Sequence, residues 1–302
     1  MKKQPEQEKI GSPRLLDAAF AASLIPARPE DGNKGTFGRA LLYCGSEQYR
    51  GAACLAAEAA LSGGAGLTEI VSCEPVVSLV LSRAPSVIGT AFSPSKIGAY
   101  LPLDLTERAT AVLVGCGSGR SDRLRLSLYE LLSTPGCPVV LDADALNALA
   151  LARKTSLERL KVAARPVILT PHPLEFSRLS GLSPDGIASD RVGVAARFAK
   201  EYGVTLVLKG AGTVIATPDG EVAVNTTGGS GLAKGGSGDV LAGLLVSLAA
   251  QGMKPYDAAI LAVYLHGAAG DALTEEYSAY GVRPDDLPRE IARQIARLLS
   301  RS

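Results

Sequence analysis

Short, mostly apolar segments alternate with helical patterns along most of this chain, and this alternation limits the folds open to it. The apolar segments predict strands at 39–44, 67–72, 111–115, 138–142, 166–170 and 204–210. Helical patterns separate most of them, at 52–61, 122–133, 143–151 and 187–202. Strands that are apolar on both faces belong to parallel sheets with helix layers on both sides. The sequence therefore predicts an α/β fold, a three-layer α/β/α arrangement around a mostly parallel central sheet.

The pattern changes after residue 210. Two apolar stretches around Pro218-Asp219-Gly220 predict a hairpin over 213–226. Three helices are then predicted, at about 238–251, 255–273 and 285–300. No internal repeat or low-complexity linker is apparent, so we expect a flexible tail over residues 1–13 and one domain over 14–302, which begins with a short helix at 14–25.

Composition excludes several classes of protein. With 47% hydrophobic and 20% charged residues, the 302-residue chain can form a large core. The net charge of +1 lacks the basic excess of a dedicated nucleic-acid binder. No segment approaches the ~18 apolar residues of a membrane span, and the polar N-terminal segment is unlike a signal peptide. The five cysteines form no CxxC pair and are expected to be reduced. We expect a cytoplasmic protein with no nucleic-acid or membrane partner.

Residues 228–243, GGSGLAKGGSGDVLAG, place six glycines before Asp239 and a helical apolar pattern after it. The P-loop is excluded because Lys234 precedes Gly235, and the dinucleotide fingerprint is excluded because Arg120 stands where its third glycine belongs. Backbone amides of a glycine-rich turn, together with a helix N-terminus, nonetheless form an anion cradle. Asp239 is then either the N-cap of the helix or a base beside a transferred phosphoryl group.

Six segments of the chain are informative together: NKGTFGRALLYCGSEQYRGAACLAAEAALSGGAGL (33–67), VGCGSG (114–119), LDADALNAL (141–149), TPHPLEF (170–176), LKGAGT (208–213) and NTTGGSGLAKGGSGDVLAG (225–243). They occur in the order found in the ADP/ATP-dependent NAD(P)H-hydrate dehydratases, a family of the ribokinase-like superfamily, which the chain resembles over about 25–300. Two departures are small. Many members have Gly-Asn-Pro-Gly at 228–231, where this chain has Gly-Gly-Ser-Gly, and glycine in the place of Leu174.

The resemblance implies roles for particular residues. Asp239 would be the catalytic base. Substrate contacts would come from Ala53, Gly117, His172 and Asp239. Contacts to the adenine nucleotide would come from Lys209, Gly210, Ala211, Gly212, Thr213, Gly235, Gly236, Ser237 and Gly238.

Several candidates keep a second interpretation. Glu175 matches an acidic position that organises Mg²⁺ through water in the superfamily, although His172 takes the place of the preceding asparagine. Asp142 and Asp144 follow a predicted strand, where one could aid Mg²⁺ while Asp144 could equally cap the next helix. His266 lies in an apolar helix and is interpreted as a packing residue.

The activity implied by the resemblance is dehydration of (6S)-NADHX and NADPHX to NADH and NADPH, driven by ADP (or ATP), with Mg²⁺ as cofactor. It also implies a homotetramer and a separate NAD(P)HX epimerase, since the region before residue 33 is too short to hold that domain. One alternative is a small-molecule kinase of the same superfamily, acting on a hydroxymethylpyrimidine, a thiazole or a sugar. Another is a non-catalytic nucleotide sensor, which would have little use for Asp239.

Overall fold

Ten strands form one sheet in the computed structural model, which describes residues 12–92 and 101–300. In chain order they are β1 (Arg14–Leu15), β2 (Arg39–Tyr43), β3 (Leu67–Cys73), β4 (Ile88–Phe92), β5 (Ala111–Val114), β6 (Val139–Leu141), β7 (Val167–Leu169), β8 (Thr205–Leu208), β9 (Val214–Ala216) and β10 (Val222–Val224). Across the sheet the order is β1-β10-β9-β8-β7-β6-β5-β2-β3-β4. Only β9 runs antiparallel to its neighbours β8 and β10, so the predicted parallel sheet and hairpin are confirmed.

Twelve α-helices are described, and they cover both faces of the sheet. They are α1 (Ala18–Ser23), α2 (Arg50–Ser62), α3 (Glu74–Arg83), α4 (Asp122–Ser133), α5 (Asp144–Ala150), α6 (Arg153–Lys161), α7 (Pro173–Ser180), α8 (Pro184–Ser189), α9 (Arg191–Tyr202), α10 (Ser237–Ala250), α11 (Pro255–Gly281) and α12 (Leu287–Leu299). One hydrophobic core lies between the sheet and α1–α3 and α10–α12. A second lies between the sheet and α4–α9. The predicted three-layer α/β/α arrangement is therefore confirmed.

Three predicted elements are wrong in detail. The segment 14–25 is not one helix, because β1 pairs in parallel with β10 and Asp17 then caps α1 by accepting a hydrogen bond from the amide of Phe20. The helix predicted over 187–202 is two helices, since Asp190 leaves the helical region and its side chain caps α9. Helix α11 continues past residue 273 to Gly281, with a break at Ser278, where φ is +63°.

Other predictions concern the chain ends and membranes. Most of the predicted tail over 1–13 lies outside the described residues. Within 12–92 and 101–300, no helix combines the length and apolar character needed to cross a bilayer. All five cysteines are free, in agreement with the sequence.

Helices α2 and α10 pack at unusually close range. A Cβ atom built on Gly243 of α10 would lie 2.1 Å from the carbonyl oxygen of Ala56, so only glycine fits there. The facing surface of α2 is made of small residues such as Ala53, Ala56 and Ala60, all fully buried. This contact fixes the position of α10 relative to the sheet, and with it the position of Asp239 one turn earlier.

Candidate active site

Polar side chains gather where four neighbouring parallel strands end. Strands β5, β6, β7 and β8 lie side by side, and Cys116, Asp142, Thr170 and Lys209 come one or two residues after their respective ends. Ligands of open α/β sheets bind at this carboxyl edge. These four side chains therefore lie where ligands of such folds bind.

Asp142 is the centre of this group and is only 2% exposed. Its Oδ1 accepts hydrogen bonds from Lys209 Nζ at 2.7 Å and from Thr170 Oγ1 at 2.8 Å. The thiol of Cys116 lies 3.8 Å from Oδ2. Burial acts to lower the pKa of Lys209, but the charges of Asp142 and Glu175 outweigh it and the net pKa is raised. Lys209 is therefore a fixed cation at the site, and not a solvated surface lysine.

Asp239 is the third residue of α10 and is partly buried. The N-cap of this helix is Gly236, with φ +101° and no side-chain capping bond, so the interpretation of Asp239 as an N-cap is wrong. Its carboxylate, one oxygen of Asp142 and the sulfur of Cys116 all lie within 4.8 Å of one another. Burial, and after it the charge of Asp142, raise the pKa of Asp239 to about 6. A carboxylate with that pKa is matched to general-base chemistry near neutral pH.

The segment Asp142–Asp144 contains a strained residue. Ala143 has φ +47° and ψ −111°, a conformation that costs a non-glycine residue about 1–3 kcal/mol. Its carbonyl accepts hydrogen bonds from both the backbone amide and the side chain of Asn147, at 3.0 and 3.1 Å. Asp144 is the first residue of α5 and makes no cap bond, so it is not the N-cap; instead its Oδ2 accepts from the amide of Gly119 at 2.9 Å. The strained residue thus lies between two carboxylates that have different partners: Asp142 contacts Lys209, and Asp144 contacts the loop after β5.

The two segments predicted to bind nucleotide meet in space. A Cβ atom on Gly238 would lie 3.4 Å from Nζ of Lys209, which brings the start of α10 against the end of β8. In the first segment, Gly210, Ala211 and Gly212 are exposed and Thr213 is partly exposed. In the second segment, Gly235 is exposed, Gly236 and Gly238 are partly exposed, and Ser237 is buried. Exposed backbone beside a fixed cation and a helix N-terminus is suited to phosphate groups.

His172 is the N-cap of α7. Its Nδ1 accepts from the amides of Leu174 and Glu175 at 3.1 and 3.3 Å, while Glu175 Oε2 accepts from the amide of His172 at 2.9 Å. Burial and the charge of Lys209 lower the pKa of His172. Because Nδ1 accepts hydrogen bonds it carries no proton, so the imidazole is neutral with its proton assigned to Nε2, 3.3 Å from Glu175 Oε1. Its side chain is 44% exposed and remains open to a ligand.

The remaining predicted residues differ in accessibility. Gly117, with φ +64°, packs against the start of α2, where an added Cβ would lie 2.8 Å from the Cβ atoms of Ala52 and Tyr49. Ala53, on α2, is fully buried, so its side chain does not reach the surface in this conformation. Glu175 is not part of the group formed by Cys116, Asp142 and Asp239, and both of its oxygens contact His172. Burial raises the pKa of its carboxyl group.

Two supporting contacts were not predicted. His266 is buried as expected, but its Nε2 also lies 3.0 Å from the carbonyl oxygen and 3.1 Å from Oγ of Ser237, so it holds the first turn of α10. Burial lowers its pKa to about 4, and the ring is neutral at physiological pH. Lys234 donates through Nζ to the carbonyl oxygens of Tyr280 and Val282, which ties the glycine-rich segment to the end of α11.

The layered sheet, the glycine-rich helix start and the partly buried aspartate together define the ribokinase-like class of proteins. A crystal structure of a ribokinase-like superfamily protein from Enterococcus faecalis superposes with a TM-score of 0.81 at 29% identity, covering 94% of this chain and 96% of that one. The chain belongs to the NAD(P)H-hydrate dehydratase family, whose sequence model matches residues 40–293.

Two further comparisons agree. The bifunctional NAD(P)H-hydrate repair enzyme of Moorella thermoacetica is 42% identical over 280 residues, which are 91% of this chain and 52% of that enzyme. This chain thus spans about half the length of that relative. The ADP/ATP-dependent NAD(P)H-hydrate dehydratase of Bacillus subtilis, co-crystallised with ATP and Mg²⁺, superposes with a TM-score of 0.84 at 32% identity and covers 95% of this chain and 99% of that one.

Proposed function

We propose that this protein dehydrates (6S)-NADHX and (6S)-NADPHX to NADH and NADPH at the expense of ADP or ATP. The observation that carries the proposal is the placement of Asp239, with a pKa raised to about 6, beside the Lys209 cation and the exposed glycine backbone. A phosphate-binding surface and a base meet at one point, as phosphoryl transfer to a hydroxyl requires. The names and near-complete structural overlap of the relatives support the same activity.

The proposed chemistry divides between these groups. Lys209 and the amides around Gly238 hold the phosphates of the nucleotide. Asp239 accepts the proton of the ring hydroxyl as that oxygen attacks the terminal phosphoryl group. Phosphate then leaves the ring carbon while the neighbouring carbon loses a proton, which restores the double bond of the dihydronicotinamide. Hydroxide, a poor leaving group, is thereby replaced by phosphate.

The residues at the strand ends fit a magnesium ion. Asp142 offers carboxylate oxygens, the ligands that Mg²⁺ prefers, whereas the thiol of Cys116 does not suit it and Asp239 must stay free of the metal to act as the base. Mg²⁺ held by Asp142 and water would neutralise charge on the nucleotide phosphates. Glu175 is still proposed to reach that ion only through water molecules, because both of its carboxylate oxygens already contact His172.

The remaining proposals rest on the family resemblance alone. We propose that residues 14–302 act as one domain, that the protein works in the cytoplasm as a homotetramer, and that a separate epimerase interconverts the two hydrate forms. His172 is proposed to contact the hydrate, and Ala53 and Gly117, as small residues, are proposed to let the hydrate approach closely.

The test follows NADH formation from purified (6S)-NADHX with ADP or ATP and Mg²⁺, by the absorbance of the dihydronicotinamide ring. We expect NADH and inorganic phosphate in equal amounts. A stable phosphorylated product without NADH would favour a small-molecule kinase. If neither nucleotide is consumed, the catalytic proposal fails and a nucleotide sensor remains.

A further inference from the structure

Two arginines lie beside the residues proposed to bind the hydrate. Arg120 follows Gly117 by three positions, in the loop between β5 and α4. Arg178 lies on α7, the helix whose N-cap is His172. Both side chains are exposed, Arg120 by 60%. Neither arginine has a role in the chemistry described above.

One face of α5 brings the two arginines together. Asp144 and Asn147 are three positions apart on this helix, and residues with that spacing are neighbours on one face. Arg120 Nε lies 3.8 Å from Asp144 Oδ1. Arg178 Nη1 donates to Asn147 Oδ1 at 2.9 Å. The helix that begins directly after the strained Ala143 therefore also orients two guanidinium groups.

The orientation leaves the arginines able to bind an anion. A guanidinium group has five N–H donors in a planar fork, and the contacts to Asp144 and Asn147 each use one nitrogen. Asn147 is neutral, so Arg178 keeps its full charge. Asp144 is shared with the amide of Gly119, at 2.9 Å. Arg178 is also close enough to His172 that its charge adds to burial and Lys209 in lowering the pKa of that histidine.

We propose that Arg120 and Arg178 form a phosphate-binding pair for the dinucleotide substrate, separate from the cradle that holds ADP. This inference rests on the proposed function, because the hydrated dinucleotide supplies the phosphates: a pyrophosphate in both substrates and a 2′-phosphate in NADPHX. Guanidinium groups bind phosphate through paired, charge-assisted hydrogen bonds. Asp144 and Asn147 act as positioning residues, since they hold the arginines and not the substrate.

The test measures binding, so it does not depend on turnover. NADPH, NADH and ADP are titrated separately into the wild-type protein and into Arg120→Gln and Arg178→Gln, with nicotinamide fluorescence and calorimetry as readouts. Arg197→Gln is the matched control, because Arg197 is also exposed and paired with an aspartate, Asp190 at 3.0 Å, on α9. Melting temperatures check that every variant folds.

We expect each site variant to weaken NADPH binding about tenfold, as for loss of a charge-assisted hydrogen bond, with ADP binding and the Arg197→Gln control unchanged. If the site variants weaken the binding of NADPH alone, the arginine pair binds the 2′-phosphate. If they weaken the binding of NADH equally, the pair binds the pyrophosphate. Both results support the pair.

Three other results would overturn the proposal that Arg120 and Arg178 bind the phosphates of the dinucleotide. These are unchanged affinity for both dinucleotides, an equal loss of ADP affinity, and a wild-type protein that binds neither dinucleotide. A wild-type protein that binds NADPH but forms no NADPH from NADPHX would instead refute the proposed dehydration, and the same titrations would still decide whether the arginine pair binds the dinucleotide.

Discussion

Replacement of Asp239 by asparagine should make the protein more stable and nearly inactive. The amide keeps the shape of the side chain but can neither accept the hydroxyl proton nor carry a charge. Loss of a general base typically lowers the rate by 10²–10⁴-fold. Nucleotide affinity should stay the same or rise, because a negative charge beside the phosphates is removed.

The stability gain follows from the raised pKa. A rise from the ordinary 3.8 to about 6 corresponds to roughly 3 kcal/mol of unfavourable free energy in the ionised folded state. The side chain is only partly buried, and solvent screening reduces this to about 1–2 kcal/mol. Because the folded pKa lies above the unfolded one, the wild type is relatively most stable below about pH 4 and loses that stability as pH rises through about 6. The variant should gain most above pH 7 and little at pH 4.

The assay is urea unfolding at pH 4, 6 and 8, together with kcat for (6S)-NADHX. Asp257→Asn is the matched control, since Asp257 is also the third residue of its helix, α11. Removal of that first-turn charge should cost about 0.3–1 kcal/mol and leave activity intact. An Asp239→Asn protein that is less stable at pH 8, or that turns over at the wild-type rate, would refute the argument and shift the search for the base to Asp142 or Asp144.

Three further changes test the surroundings of the site. Lys209→Met should destabilise the protein by about 3–5 kcal/mol in thermal melts, because it leaves the buried charge of Asp142 unpaired. The double variant Lys209→Met with Asp142→Asn should recover much of that loss, because the unpaired charge is then removed as well. His172→Ala should cost about 1 kcal/mol in cap stability whereas His172→Asn keeps the cap, and both should raise the KM for the hydrate more than that for ADP. Ala143→Gly should stabilise the protein by about 1 kcal/mol in urea, because relief of strain exceeds the entropic cost of glycine.

For each of these three substitutions, one result would contradict the prediction. A double variant no more stable than Lys209→Met alone would mean that the ion pair is not the cause. A His172 variant that loses ADP affinity and keeps the KM for the hydrate would place the residue on the nucleotide side. Loss of stability in Ala143→Gly would show that its neighbours, and not Ala143, determine that backbone conformation.

The sheet edge that carries the site was predictable because its strands are buried on both faces. Strands β2, β3 and β5–β8 were located to within two residues, since a short, mostly apolar run is typical of a strand covered by helices on both sides. Strand β1 is only two residues long, too short for any periodicity, and forms because it pairs with β10, more than 200 residues later. Strand β4 lies at the sheet edge and is largely exposed, so its sequence lacks the apolar run.

Within the site, residue types were predictable but their connections were not. The glycine-rich segment and Asp239 are contiguous, and their chemistry could be argued from local sequence. Asp142 acquires its role from Lys209, 67 positions away, and Ser237 is held by His266, 29 positions away. Pairings of this kind depend on the order of strands in the sheet, which no local pattern encodes.

The contact between Gly243 and Ala56 has a consequence for how this protein can adapt. Two helices whose backbones touch cannot slide or rotate past each other without collision, so α10 offers no freedom for domain-like closure. Adjustment to substrates of different size must therefore come from exposed loops at the strand ends, such as the one after β8, in which Gly210, Ala211 and Gly212 are exposed. Changes of specificity, by evolution or by engineering, should be found in those loops, while substitutions at Gly243 should displace Asp239 and abolish turnover without touching any ligand.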